Sequence, residues 1–231
     1  MGASATTPSP RGPNITLGSM NVGIVPVKRL DRAKTRLEAL LGAEGRADLA
    51  RALFEDALAL CQAATELRWL VVSDDPAVLE RAAERGHATV RDAGDGLNPA
   101  LVAACVAAEE LGATSVTIVP CDVPLAQPDD LRDVLDTGGT SDVVLVPSRD
   151  AGTNGLYLRP PSVLPPAFGP ASVSAHAAAA ESAGLRCSLL PLERLALDID
   201  VERDVDALLA HPDALASYGG RVLQRLRARS A

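Results

Sequence analysis

The sequence predicts a single α/β domain built around a layered sheet with parallel strands. Three observations carry this reading. Short β-branched runs alternate with Ala- and Leu-rich stretches of helical period, the connections are short, and several helical stretches open on Asp or on Pro at a first-turn position. With 231 residues, 47% of them hydrophobic, the chain is long enough for one compact core.

Residues 1–20 are rich in Ser, Thr, Pro and Gly and have no helical or alternating period. They read as a disordered leader, or as the remnant of a cloning junction at Gly18-Ser19-Met20 ahead of a native start. A β-branched run at 22–27 predicts the first strand, and an Ala/Leu period at 43–62 the first helix. Strand 68–73 follows, then helix 76–85 opening on Pro76, then strand 88–91. Helix 99–111 opens on Pro99 and leads to strand 115–119, which Pro120 closes. Helix 128–135 opens on Pro128 and is followed by strands 142–147 and 156–158. Five prolines then interrupt 159–171, which reads as a substrate-facing insertion. Helix 172–183 starts at Ser172, an N-cap residue type, and strands at 186–190 and 195–199 precede a helix at 201–210. The domain is expected over 21–214, with 215–231 as a C-terminal helical tail. Right-handed crossovers between parallel strands place the loops after the strands along one edge, where open α/β sheets bind ligands.

Composition narrows the function classes. Five aromatic residues and a net charge of −8 support neither base stacking nor a phosphate-tracking surface, so nucleic acid is not an expected partner. No apolar run approaches the roughly 20 residues of a membrane span. Four cysteines without a CxxC pair argue against a zinc site or a disulfide framework, and read as reduced core residues of a cytoplasmic protein.

Chemistry concentrates in the loops after the strands. Lys28, Arg29, Arg32, Lys34 and Arg36 place five cations in nine residues after the first strand. That density suits a triphosphate, met by Lys28, Lys34 and Arg36, although alone it also fits a solvated basic loop. No Walker A motif is present. Asp122 follows the 115–119 run at the ligand edge, or is an ordinary turn aspartate. In Leu197-Asp198-Ile199-Asp200-Val201 a period of two puts Asp198 and Asp200 on one face of a strand. With a third carboxylate they describe a magnesium site for substrate phosphates; alone, they also fit a solvated edge strand. Gly152-Thr153-Asn154-Gly155 and Phe168-Gly169-Pro170-Ala171-Ser172 can present backbone N–H groups to an anion, or be plain turns. His87, His176 and His211 are scattered, with no nucleophile–base pattern; His176, one turn past Ser172, reads as packed or solvated.

Together, Lys34-Thr35-Arg36-Leu37, Gly96-Leu97-Asn98-Pro99-Ala100-Leu101, Cys121-Asp122-Val123-Pro124-Leu125, Gly152-Thr153-Asn154-Gly155-Leu156, Phe168-Gly169-Pro170 and Asp198-Ile199-Asp200 resemble a known family over about 22–209. It is the phosphoenolpyruvate/2-phospho-L-lactate guanylyltransferase family of coenzyme F-420 (deazaflavin) biosynthesis. The resemblance implies a three-layer, Rossmann-like nucleotidyltransferase (glycosyltransferase-A-like) fold with a mostly parallel mixed sheet. It also implies that GTP reacts with a three-carbon phosphoacid, releasing pyrophosphate. With phosphoenolpyruvate the product is enolpyruvoyl-2-diphospho-5'-guanosine. On this analogy Asp122, Asp198 and Asp200 hold Mg2+, and Lys28, Lys34 and Arg36 meet the triphosphate as catalytic cations. Asn98 belongs to the nucleotide pocket, and Thr153, Gly169 and Ser172 contact the phosphoacid.

Ala171 stands where bacterial relatives often carry an acidic residue, and Thr153-Asn154-Gly155 resembles the archaeal phospholactate version. The Ala- and Arg-rich composition favours phosphoenolpyruvate, the acid associated with bacterial members, over 2-phospho-L-lactate and 3-phosphoglycerate. A labile product implies transient hand-off to a downstream transferase. Two competing readings are a nucleotidyltransferase with another acceptor, such as a molybdopterin or sugar-phosphate enzyme, and a non-catalytic nucleotide-sensing module. Val25-Pro26-Val27-Lys28 in place of a Gly-rich loop weighs against the first, and three candidate metal carboxylates weigh against the second.

Overall fold

The structure, a computed structural model, describes residues 20–230, so the leader expected over 1–20 lies outside the described residues except for Met20. Among the described residues seven strands form one mixed sheet: β1 (Asn21–Pro26), β2 (Arg68–Ser73), β3 (Ala88–Arg91), β4 (Ser115–Ile118), β5 (Val143–Pro147), β6 (Thr153–Leu158) and β7 (Cys187–Leu189). Their spatial order is β3-β2-β1-β4-β6-β5-β7. β6 alone runs antiparallel, between β4 and β5. Strand order reverses between β1 and β4, so the carboxyl ends of these two strands open a crevice of the kind that binds ligands in such sheets.

Helices cover both faces. α1 (Glu38–Ala63), α2 (Pro76–Glu84) and α4 (Pro128–Gly138) pack Phe54, Leu58, Val78, Leu131 and Val134 against Val25, Val71, Val144 and Tyr157. α3 (Leu97–Glu110) and α5 (Ser172–Ser182) pack Leu101, Ala104 and Ala180 against Ile24, Ile118, Leu145 and Leu156 on the other face. These neighbouring strand residues divide between the two faces because side chains alternate along a strand. Gly42 has φ 66° and breaks α1, so the continuous helix starts close to the expected residue 43. No described helix is long and apolar enough to cross a membrane.

The strand expected at 195–199 does not form. Its backbone is met piecemeal instead: Ile199 N–H donates to Asp122 O at 3.1 Å, Ala196 O accepts from Arg149 N–H, and Leu195 O accepts from the Asn154 side chain. No neighbouring strand supplies a ladder, yet the alternation survives because Leu197 and Ile199 are buried in a third apolar cluster with Leu37, Leu53, Val205 and Leu223. A second correction concerns the cysteines. All four are free, but Cys187 lies exposed on the edge strand β7 rather than in the core.

The third cluster is closed by α6 (Glu202–Ala210) and α7 (Tyr218–Ser230), the helix expected at the C-terminus. Asp56 on α1 accepts the N–H groups of Tyr218 (2.7 Å) and Gly219 (2.8 Å), capping the start of α7. Burial nevertheless outweighs these bonds and raises the Asp56 carboxyl from 3.8 to about 6. A carboxyl raised on folding supports the folded state fully below its unfolded pKa and loses that support as pH rises through the folded value. Thermal stability is therefore expected to fall between about pH 4 and about pH 6, and Asp56→Asn to flatten that fall. Because Asn keeps only one of the two acceptor oxygens that Asp56 offers Tyr218 and Gly219, the diagnostic is the slope of Tm against pH rather than its level.

Candidate functional site

A cavity of about 350 Å3 opens at the carboxyl ends of β1 and β4, lined among others by Pro26, Lys28, Lys34, Arg36, Asp122 and Asp200. The basic loop reaches it through two tight turns, Leu30–Arg32 and Thr35–Leu37. Lys34 between them adopts a left-handed backbone (φ 56°), an unfavourable conformation for a residue with a side chain. It is fixed from both sides. Arg46 on α1 donates to the carbonyls of Asp31 (3.0 Å) and Ala33 (2.5 Å), and Leu37, whose N–H bonds to Lys34 O, is buried in the third cluster.

This geometry sends the Lys34 ammonium inward, 2.5 Å from Asp122 Oδ2 and 2.9 Å from Asp200 Oδ1. Its side chain is only 8% exposed. Burial alone lowers an ammonium pKa, but Asp122 and Asp200 overcome it and hold Lys34 well above the usual lysine value. Arg36 stands at the exposed rim, 3.9 Å from Asp200. Lys28 and Arg32 lie between this cavity and a neighbouring one of about 220 Å3 that extends to Asp74, Asp92 and Gly96.

Asp198 completes the acidic group. Its Oδ1 accepts from Asn154 Nδ2 at 3.0 Å, and the same amide nitrogen donates to Leu195 O at 2.9 Å. Burial raises the Asp198 carboxyl pKa, the Asn154 bond opposes that, and the charges of Asp122 and Asp200 raise it further. Asp200 is anchored through its backbone N–H, which donates to Asp204 Oδ2 at the start of α6. Lys34 stands between Asp122 and Asp200, and no group of three or more His, Cys, Asp or Glu among the described residues is gathered closely enough to hold a metal ion as it stands.

The remaining predicted residues form a second cluster. β6 carries a bulge: Val146 pairs with Gly155 and Pro147 with Thr153, leaving Asn154 as the extra residue. Asn154 thus reaches Asp198 while its neighbour Thr153 faces α5, where Thr153 Oγ1 lies 2.9 Å from Ser172 Oγ. Ser172 was expected to cap α5. Instead Ala171, in the left-handed conformation (φ 54°), holds that position, and Ser172 turns its buried hydroxyl to Thr153. Gly169, with φ 150°, lies at the surface just before this turn. Asn98, expected at the nucleotide, clamps the loop before α5. Its carboxamide donates to Phe168 O (3.0 Å) and accepts from Phe168 N–H (2.8 Å), while Leu97 lines the cavity. Sequence reasoning did not single out Asn154 or the Asn98 clamp, since neither the bulge nor the loop's path has a local signature.

Comparisons with known proteins identify the family and the fold. Residues 20–228 match the family described as "Guanylyl transferase CofC like". A phosphoenolpyruvate guanylyltransferase of Rubrobacter xylanophilus is 40% identical over 189 residues, 81% of this chain and 92% of that protein. A 2-phospho-L-lactate guanylyltransferase of Methanothermobacter thermautotrophicus is 34% identical over 206 residues, covering 88% and 90%. A crystal structure of a putative nucleotide-diphospho-sugar transferase from Desulfovibrio desulfuricans superposes with a TM-score of 0.77 at 19% identity, covering 91% of this chain and 96% of that one, a likeness of fold.

The acidic cluster predicts opposite signs for two isosteric substitutions. Asp198→Asn keeps an acceptor for Asn154 and removes a repelled charge, so Tm of the metal-free protein at pH 7 is expected to rise by about 2–4 °C. Asp122→Asn weakens the pairing of a buried ammonium and is expected to lower Tm by a similar or larger amount. Shifts of the same sign in calorimetry would contradict this charge arrangement.

Proposed function

Because the chain belongs to the family of CofC-like guanylyl transferases, we propose that it transfers GMP from GTP to the phosphate of phosphoenolpyruvate, releasing pyrophosphate and leaving enolpyruvoyl-2-diphospho-5'-guanosine. The observation that carries this reading is the Lys34 ammonium held between Asp122 and Asp200 beneath a loop of further cations. Relatives named phosphoenolpyruvate guanylyltransferase support the acceptor. The relative named 2-phospho-L-lactate guanylyltransferase supports the same reaction on that acid as the second reading.

In the mechanism, Lys28, Lys34 and Arg36 meet the triphosphate in the larger cavity, where cations close to the phosphates neutralise charge as pyrophosphate leaves. The phosphoacid binds at Thr153, Gly169 and Ser172. Its phosphate is already ionised at neutral pH and serves as nucleophile without a general base. Thr153 adjoins Asn154, which holds Asp198, so a single peptide unit links the acceptor subsite to the acidic cluster. Catalysis is then alignment for in-line attack plus charge neutralisation.

The donor set fits a divalent cation: three hard carboxylates stand against the buried ammonium of Lys34, and burial together with the charges of Asp122 and Asp200 raises the Asp198 carboxyl. Asp122, Asp198 and Asp200 would hold Mg2+, which supplies further neutralisation of the phosphates when bound. The product carries a new phosphoanhydride, a bond suited to consumption by a following transferase in the same cytoplasmic compartment.

The test is pyrophosphate release from GTP with Mg2+, offering phosphoenolpyruvate, 2-phospho-L-lactate and 3-phosphoglycerate separately and then exchanging GTP for ATP and CTP. Turnover with GTP and phosphoenolpyruvate is expected; silence with every acid alongside clear GTP binding would move the assignment to a sensor. Asp198→Asn should lower turnover by about 100-fold or more while the protein stays folded.

A further inference from the structure

His176 is 1% exposed and lies four residues after Ser172, on the same face of α5. It receives the Ala167 N–H at Nε2 (2.8 Å), and its Nδ1 lies 3.2 Å from Thr153 Oγ1. A backbone N–H pointing at Nε2 requires a lone pair there, so the ring is the neutral tautomer with its proton on Nδ1. Burial acts in the same direction by lowering the imidazole pKa, opposed in part by a hydrogen bond from the ring to the Ser172 carbonyl, which shares the Nδ1 proton with Thr153. Phe168 packs edge-on against the ring at 5.5 Å between centroids.

The consequence lies in the hydroxyl pair. Thr153 Oγ1 accepts from His176 Nδ1–H and from the Ser172 hydroxyl, which fills both of its lone pairs. Its own proton has no acceptor among the hydrogen bonds of the described residues. We propose that His176 is a positioning residue for the acceptor subsite: it fixes Thr153 as an obligatory hydrogen-bond donor to an anionic ligand and, through Ala167, holds the 167–169 loop that frames the same subsite. This rests on the assignment of Thr153 and Ser172 to the phosphoacid. The ring touches no substrate and moves no proton.

The two nitrogens can be separated by substitution. His176→Phe removes both; His176→Asn keeps a donor near Nδ1; His176→Gln keeps an acceptor near Nε2. Steady-state pyrophosphate release is measured with whichever phosphoacid turns over, alongside Thr153→Val. His176→Phe is expected to raise the phosphoacid KM by about tenfold or more, the loss of roughly one hydrogen bond to a charged group, with the GTP KM within about twofold. His176→Asn is expected to recover most of that loss and His176→Gln little of it.

Equal rises in both KM values, or equal behaviour of the Asn and Gln variants, would overturn the proposal. The Asn and Gln comparison decides the question even where the Phe variant fails to fold. Thr153→Val separates the two levels of the argument. If it leaves the phosphoacid KM unchanged, the subsite assignment fails and the role of His176 falls with it. If it raises that KM while the His176 variants do not, the role of His176 alone is wrong.

Discussion

The ligand-facing edge of this protein depends on one ammonium group. Lys34 joins the loop after β1 to Asp122 after β4 and to Asp200 near the start of α6, contacts that span 88 and 166 residues of sequence. Without it, Asp122 would lose the ammonium it pairs with, and Asp200 would keep only the longer contact to Arg36 at the rim. The left-handed backbone at Lys34 costs about 1–2 kcal/mol, and charge-assisted bonds of about 1.5–3 kcal/mol each are large enough to offset that. Arg46 and Leu37 hold the turn so that the strain is not relieved by moving the side chain away. The importance of the pairing is positional: three segments from distant parts of the chain are drawn to a single point at the place where strand order reverses.

A second constraint works through one inserted residue. Along a regular strand, Asn154 would face the same side as Leu156, toward α3 and α5. The bulge against Val146 and Pro147 turns it to the opposite side, where it meets Leu195 O and Asp198, and leaves Thr153 facing Ser172. Adjacent residues therefore serve opposite faces of the sheet, and the acidic cluster and the Thr153–Ser172 pair are joined by a single peptide unit.

These two devices differ in how far the sequence discloses them. Strands 68–73 and 88–91 and the helix starts at Pro76, Pro128 and Ser172 are legible because β-branched runs, first-turn prolines and helical periods are local signals. The density of cations in 28–36 and the alternation around Asp198 are local as well, and both mark the site. The alternation misled on one point, since burial of Leu197 and Ile199 in the third cluster produces the same period as a strand without any ladder. What the sequence withholds is long-range: that Lys34 bridges two carboxylates, that Asn98 is spent on the Phe168 backbone, that Asn154 is a bulge residue, and that His176 is neither a ligand nor a bystander.

The absence of a placed acid or base follows from the same arrangement. His176 is enclosed, its Nε2 is committed to a backbone N–H, and its remaining proton is committed to Thr153, so it has neither the exposure nor the free lone pair for proton transfer. Cys121, at the edge of the cavity, is also unavailable as a nucleophile: burial, with the nearby Asp122 charge, pushes its thiol up to about 12. What remains at the crevice are fixed charges. Such a site is suited to a reaction whose nucleophile arrives already ionised and whose barrier lies in bringing anions together. Transfer between two phosphates meets that description, and the same fixed charges that repel one another in the free protein are those the bound anions and cation would compensate.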